Sequence, residues 1–140
     1  MAERAEVLRT GPGRLLTFFY GLLAVAATGR SAYQLATKFG DAPTAYLLSL
    51  LAAVIYVVAF AAIVTGRRVV AVAACTAELV GVLVVGTLSV VVRHDFPDST
   101  VWSDYGSGYG GLPLVLPILA LLYLRRSGRS VRGAADRRPD

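Results

Sequence analysis

The residue type most able to do chemistry in this sequence is an acid set in the middle of an apolar run. Glu78 is the only charged side chain between Val69 and Val92 and lies ten positions beyond Arg68. If that run is helical, it rises about 15 Å above the arginine, close to the middle of a bilayer. A charge at such a depth costs about 2.5–3.5 kcal/mol on insertion scales, so the carboxyl must be paired, wetted or protonated. Three roles are open to it. It is a structural acid satisfied by Arg30 or by hydroxyls, a proton- or ion-carrying site, or a neutral acid that donates a hydrogen bond. Ala74, Cys75, Gly81 and Val82 share its helical face, which turns it toward other helices.

Arg30 is the second intramembrane candidate. It lies sixteen positions beyond Arg14 and interrupts the first apolar run. Helical side chains lean toward the amino terminus, which brings the guanidinium down toward Glu78 across a depth difference of about 9 Å. The competing arrangement is an arginine that snorkels outward to Asp41 or Asp104.

A third set of candidates lies in residues 93–111. This stretch offers His94, Asp95, Asp98 and Asp104 as oxygen or imidazole donors, and Trp102, Tyr105 and Tyr109 as aromatic anchors. The spacing of the donors fits no metal motif and is not an EF-hand loop, so no metal site is expected. The glycine-rich piece 106–111 lacks the Lys-Ser/Thr ending of a P-loop and follows no strand. One histidine on a loop makes no Ser-His-Asp set. Neither a catalytic constellation nor a cofactor site is expected. The expectation for residues 93–111 is an outer interfacial lid, with Asp98 or Ser99 capping a short helix through Trp102. Trp102, Tyr105 and Tyr109 would sit at headgroup level, and Asp95, Asp98 and Asp104 would face the outside, open to interaction.

The elements that position these groups follow from hydropathy. The chain has 140 residues, of which 56% are hydrophobic and only 16% charged, with a mean hydropathy of +0.62. Soluble domains carry roughly 25% charged residues, and a chain this short cannot bury so much apolar surface by itself. Four apolar segments span residues 15–36, 46–65, 69–92 and 112–124. The last, spanning about 20 Å as a helix, needs help from residues 105–111 to cross. The expected fold is all-α, a single domain of four transmembrane helices in an up-down-up-down bundle.

Arginine and lysine set the orientation. On one side lie Arg4, Arg9, Arg14, Arg67, Arg68, Arg125, Arg126, Arg129, Arg132, Arg137 and Arg138, and on the other only Lys38 and Arg93. Both termini are therefore expected in the cytoplasm, with residues 1–14 a basic amino-terminal stretch and 125–140 an unstructured arginine-rich tail. The chain would be a multi-pass protein of the plasma membrane. Residues 1–26 also read as a secretory signal ending at Ala24-Val25-Ala26, although the apolar run continues past that point to Ala36. A formal charge of +5 raises the question of nucleic acid. The basic residues instead gather at the ends of apolar runs, so the partners expected are the bilayer, anionic lipid heads at the tail, and other membrane proteins, with no nucleic acid.

Packing is expected through small residues: Ala73, Ala77 and Gly81 on the third helix, and Ala24, Thr28 and Ala32 on the first. Pro113 reads as a helix start and Pro117 as a kink. Cys75, the single cysteine, reads as a small hydrophobe.

The run Phe96-Pro97-Asp98-Ser99-Thr100-Val101-Trp102-Ser103-Asp104-Tyr105-Gly106-Ser107-Gly108-Tyr109-Gly110, with Leu112-Pro113-Leu114-Val115-Leu116-Pro117 after it, resembles small four-helix integral membrane proteins of actinobacteria. The likeness is confined to this loop and the fourth helix. It implies location and architecture, and it brings no activity and no catalytic residue. The sequence thus leads to a non-enzymatic accessory or assembly subunit of an envelope or respiratory membrane complex. The alternative is a small transporter or proton-coupled carrier that uses Glu78 with Arg30 as its charge partner.

Overall fold

A computed structural model describes residues 11–92 and 100–136. Regular structure among these residues is helical throughout: α1 Pro12–Thr37, α2 Pro43–Val64, α3 Arg68–Val91, a 3₁₀ segment Ser103–Tyr109, and α4 Leu112–Asp136. Proline opens both α1 and α2, where a fixed φ suits the first turn and the missing N–H has no intrahelical partner to lose. The end of α2 closes on itself: the Gly66 N–H bonds the Ile63 carbonyl at 3.3 Å and the Arg67 N–H reaches Ala62 at 2.8 Å.

Helices α1, α2 and α3 are each long and apolar enough to cross a membrane. At 22 residues α2 is about 33 Å long, the thickness of a hydrocarbon core with a little to spare. Inside the chain, only 33–39% of the most apolar window of each span is buried. Leu15, Phe18, Val25, Val54, Val69, Val84 and Val91 point outward, a surface that hydrocarbon tolerates and water does not. The chain is a membrane protein on this evidence.

The candidate for a fourth span is built differently from the straight extension that its short apolar run suggests. Ser103–Tyr109 and the helix from Leu112 meet at 94°, a bent pair that together passes as a span. Pro113 lies in the first turn of α4, where the Gly111 carbonyl accepts the Val115 N–H at 3.0 Å, and Pro117 lies inside the helix. Rather than stopping near Leu124, α4 continues to Asp136. Residues 125–136, expected to lack structure, include four arginines, good helix formers that propagate a helix once it has started, along with two glycines that weaken it.

Small residues do pack the bundle, though of those the spacing suggests only Ala24 and Gly81 take part. The buried face of α3 carries Ala71, Ala74, Cys75, Glu78, Val82, Val85, Gly86 and Ser89, while Ala73 and Ala77 are exposed. On α1, Ala24 is buried but Thr28 and Ala32 are exposed. A four-residue repeat of small side chains marks close approach only where it coincides with the face that the other helices occupy. Gly81 and Gly86 meet that condition, and what they admit is the loop. A Cβ at Gly81 would lie 2.6 Å from the Trp102 ring, and one at Gly86 2.5 Å from the Tyr105 ring.

Gly81→Ala should therefore displace the Trp102 ring and destabilise the fold by about 1–3 kcal/mol, as overpacking does. Trp102 is the only tryptophan, so its emission reports the change directly. The expected result is a red shift and a lower melting temperature in detergent, while Ala77→Leu on the exposed face changes neither.

Candidate functional site

The segment after the undescribed residues 93–99 does not lie over the bundle as an interfacial lid. It enters it. Thr100, Val101, Trp102 and Ser103 are all buried, and Trp102 is only 2% exposed. No short helix runs through Trp102; residues 100–102 are a turn and the 3₁₀ segment begins at Ser103. Non-helical backbone inside a membrane protein needs partners for its N–H groups, because hydrocarbon supplies none. Hydroxyls supply them here. The Thr100 N–H bonds Ser103 Oγ at 2.8 Å, the Val101 N–H bonds Ser49 Oγ at 3.3 Å, the Trp102 N–H bonds Thr100 Oγ1 at 3.1 Å, and the Asp104 N–H bonds Ser89 Oγ at 2.9 Å. Ser49 belongs to α2 and Ser89 to α3, so the loop is tied to both.

Asp104 and Tyr105 adopt left-handed φ values of 51° and 59°, and Gly106 follows at 80°. Left-handed backbone costs about 1–2 kcal/mol for a residue with a Cβ. Contacts of the same turn offset that cost: the Tyr105 ring lies against Gly86, and its hydroxyl is 3.0 Å from Thr87 Oγ1. Tyr109 is half-buried against the main core. Asp104 itself is exposed. Asp95 and Asp98, the other acids proposed for outer interaction, and His94 lie outside the described residues.

Beneath the loop is a chain of polar groups. The Trp102 indole donates to the Tyr56 hydroxyl at 2.9 Å, and Tyr56 is close enough to Glu78 and Tyr109 to interact electrostatically with both. Glu78 is fully buried. Its Oε2 accepts the Tyr20 hydroxyl at 2.7 Å, and that hydroxyl also lies 3.4 Å from Cys75 Sγ. Its Oε1 has no hydrogen-bond partner among the described residues. Glu78 and Cys75 are one helical turn apart on α3, Tyr20 comes from α1 and Tyr56 from α2, so three helices converge on the carboxyl.

Arg30 is not the group that holds Glu78. Tyr20 is level with the carboxyl, and Arg30 is ten residues further along α1, about 15 Å of helix rise, half-buried at its own level. Two more buried polar atoms on that part of α1, Ser31 Oγ and Gln34 Oε1, have no hydrogen-bond partner among the described residues. No cluster of three or more His, Cys, Asp or Glu side chains occurs among the described residues.

The residues that sequence reasoning missed are Tyr20, Tyr56, Ser49 and Ser89. Each is a single hydroxyl inside an apolar run, and the signal that could have found them is the need of Glu78 and of the loop amides for partners. Compared with known proteins, the chain matches no family model, no curated protein and no solved structure.

The Tyr20–Glu78 pair allows a double-mutant test. Tyr20→Phe strips the carboxyl of its only donor among the described residues and should destabilise by about 1–3 kcal/mol, whereas Glu78→Gln keeps an acceptor for the tyrosine and should cost less. Tyr20→Phe combined with Glu78→Leu removes both partners and should cost less than the sum of Tyr20→Phe and Glu78→Leu made singly. Unfolding in detergent measures all these proteins.

Proposed function

We propose that this chain is a multi-pass plasma-membrane protein that acts as a non-enzymatic accessory or assembly subunit of a larger envelope or respiratory complex. Its four spans would run up and down with both termini in the cytoplasm, as the arginine distribution favours. The membrane setting is the firm part, and the likeness of the loop and fourth helix to small actinobacterial membrane proteins agrees with it. The observation that carries the subunit reading is how the polar groups are used. Ser49, Ser89, Thr100, Ser103 and the Trp102 indole are all spent on internal bonds that dock the loop. What the chain presents outward is chiefly apolar helix surface, suited to lipid and to neighbouring spans. Purification in a mild detergent or in native lipid particles should recover specific membrane partners at fixed stoichiometry. Recovery of this chain alone would overturn the reading.

One observation favours a second reading, a proton-coupled carrier that works through Glu78. A fully buried carboxyl with one oxygen bonded to Tyr20 and the other without a partner among the described residues is a costly arrangement to keep for structure alone. Ionisable groups at such depth are functional candidates by default. Under this reading, vesicles containing the protein should show proton flux that Glu78→Gln abolishes, and equal flux from both proteins would remove the reading.

A further inference from the structure

We infer that Glu78 is a proton-binding site whose exchange with water at the loop end of the bundle is gated by Trp102, the segment 100–106 serving as a removable plug. This inference rests on the carrier reading and adds to it the route and the element that controls the route.

The donor set points to a proton. A hard metal cation needs about six oxygen ligands, and the groups gathered here are one carboxyl, the Tyr20 and Tyr56 hydroxyls and a thiol. A proton needs a single acceptor, and Glu78 Oε1 is one without a competing donor among the described residues. The titratable groups that face the carboxyl are Tyr20 from α1, Tyr56 from α2 and Cys75 from α3, with Tyr109 beyond Tyr56; none of them brings a positive charge.

The position of the plug follows from the helix repeat. Gly81 is three residues beyond Glu78, almost one turn, and the Trp102 ring stands directly on it. The indole therefore occupies the space between the carboxyl and the hydroxyls of Ser49 and Ser89, which hold the loop backbone. Withdrawing the ring leaves a gap bordered by the Tyr56 hydroxyl on one wall and by a glycine on the other, with no side chain on Gly81 to refill it. Water in that gap would reach Glu78 through groups that can hydrogen-bond to it.

The hold on the plug is releasable. It consists of hydrogen bonds from amides and the Trp102 indole to hydroxyls, which water can replace, and of packing against two glycines and Pro113. Two consecutive left-handed non-glycine residues, Asp104 and Tyr105, adjoin it. Strain of that kind favours departure once the surrounding contacts loosen.

Cys75 gives a native reporter, since it is the only cysteine, is fully buried and lies beside Glu78 in the same cluster. The full-length protein in lipid nanodiscs is treated with a positively charged methanethiosulfonate, and the rate of Cys75 modification is followed by mass. Wild-type protein should react slowly, and Trp102→Ala faster by about tenfold or more as the closed population is lost. Trp102→Phe, which keeps a ring on Gly81, should restore most of the protection. Should Trp102→Ala fail to fold by circular dichroism, Ser49→Ala with Ser89→Ala loosens the plug without altering its ring and should also accelerate labelling. Unchanged labelling in the folded variants overturns the gate, whatever the flux. Faster labelling together with a vesicle proton flux indifferent to Glu78→Gln overturns the proton site and leaves the gate standing, so the two failures are distinguishable.

Discussion

A peptide N–H cannot be left unpaired in hydrocarbon, and the distinctive part of this molecule is a response to that constraint. Helices satisfy it internally, and α1 to α4 need nothing more. Residues 100–103 lie buried outside any α-helix, so the amides of Thr100, Val101, Trp102 and the adjoining Asp104 depend on hydroxyls placed for them by Ser49, Ser89, Ser103 and Thr100. Each of these bonds is modest by itself. Losing one would strand a donor in an apolar setting, which is the larger effect. The hydroxyls of α2 and α3 thus fix where the loop can sit, and the loop in turn decides what lies above Glu78.

The same reasoning orders the interior from the loop inward. Ser49 and Ser89 hold backbone, Tyr56 holds the indole that this backbone delivers, and Tyr20 holds the carboxyl beneath. Polar groups in an otherwise greasy bundle are arranged in sequence, each within reach of the next. Along this path Glu78 Oε1 has no hydrogen-bond partner among the described residues, as Ser31 Oγ and Gln34 Oε1 have none elsewhere on α1, and that gives the carboxyl its functional interest.

Much of the architecture was legible in the sequence because a membrane makes hydropathy decisive. The second and third helices appear within a few residues of where their apolar runs place them. Glu78 was legible too, as the one charge in a run of twenty-four, and its burial follows from the face it shares with Cys75 and Val82. Its partner was not. Helical rise gives depth along one helix, but the relative level of two helices depends on how they seat, and that seating puts Tyr20 rather than Arg30 beside the carboxyl. The loop was misjudged for a related reason. Trp102 suits a headgroup region by type, and only Gly81 and Gly86, about twenty residues upstream, make room for it and for Tyr105 inside. Ala73 and Ala77 look equally small on paper, yet they face away from the bundle. Nothing in their local spacing separates the two cases.

The docking site for the loop has a bearing on how the chain is made. Tyr56 and Ser49 lie on the second span, and Gly81, Gly86 and Ser89 on the third, all synthesised before residue 100 leaves the ribosome. The residues that receive the buried turn therefore precede it in the chain, and the polar backbone finds its acceptors on α2 and α3 upstream of itself. The last helix arrives afterward and sets Pro113 against Gly106, fastening the turn from behind. Chain order and burial order coincide, so biogenesis can proceed from amino to carboxyl end without any step that exposes an unsatisfied amide.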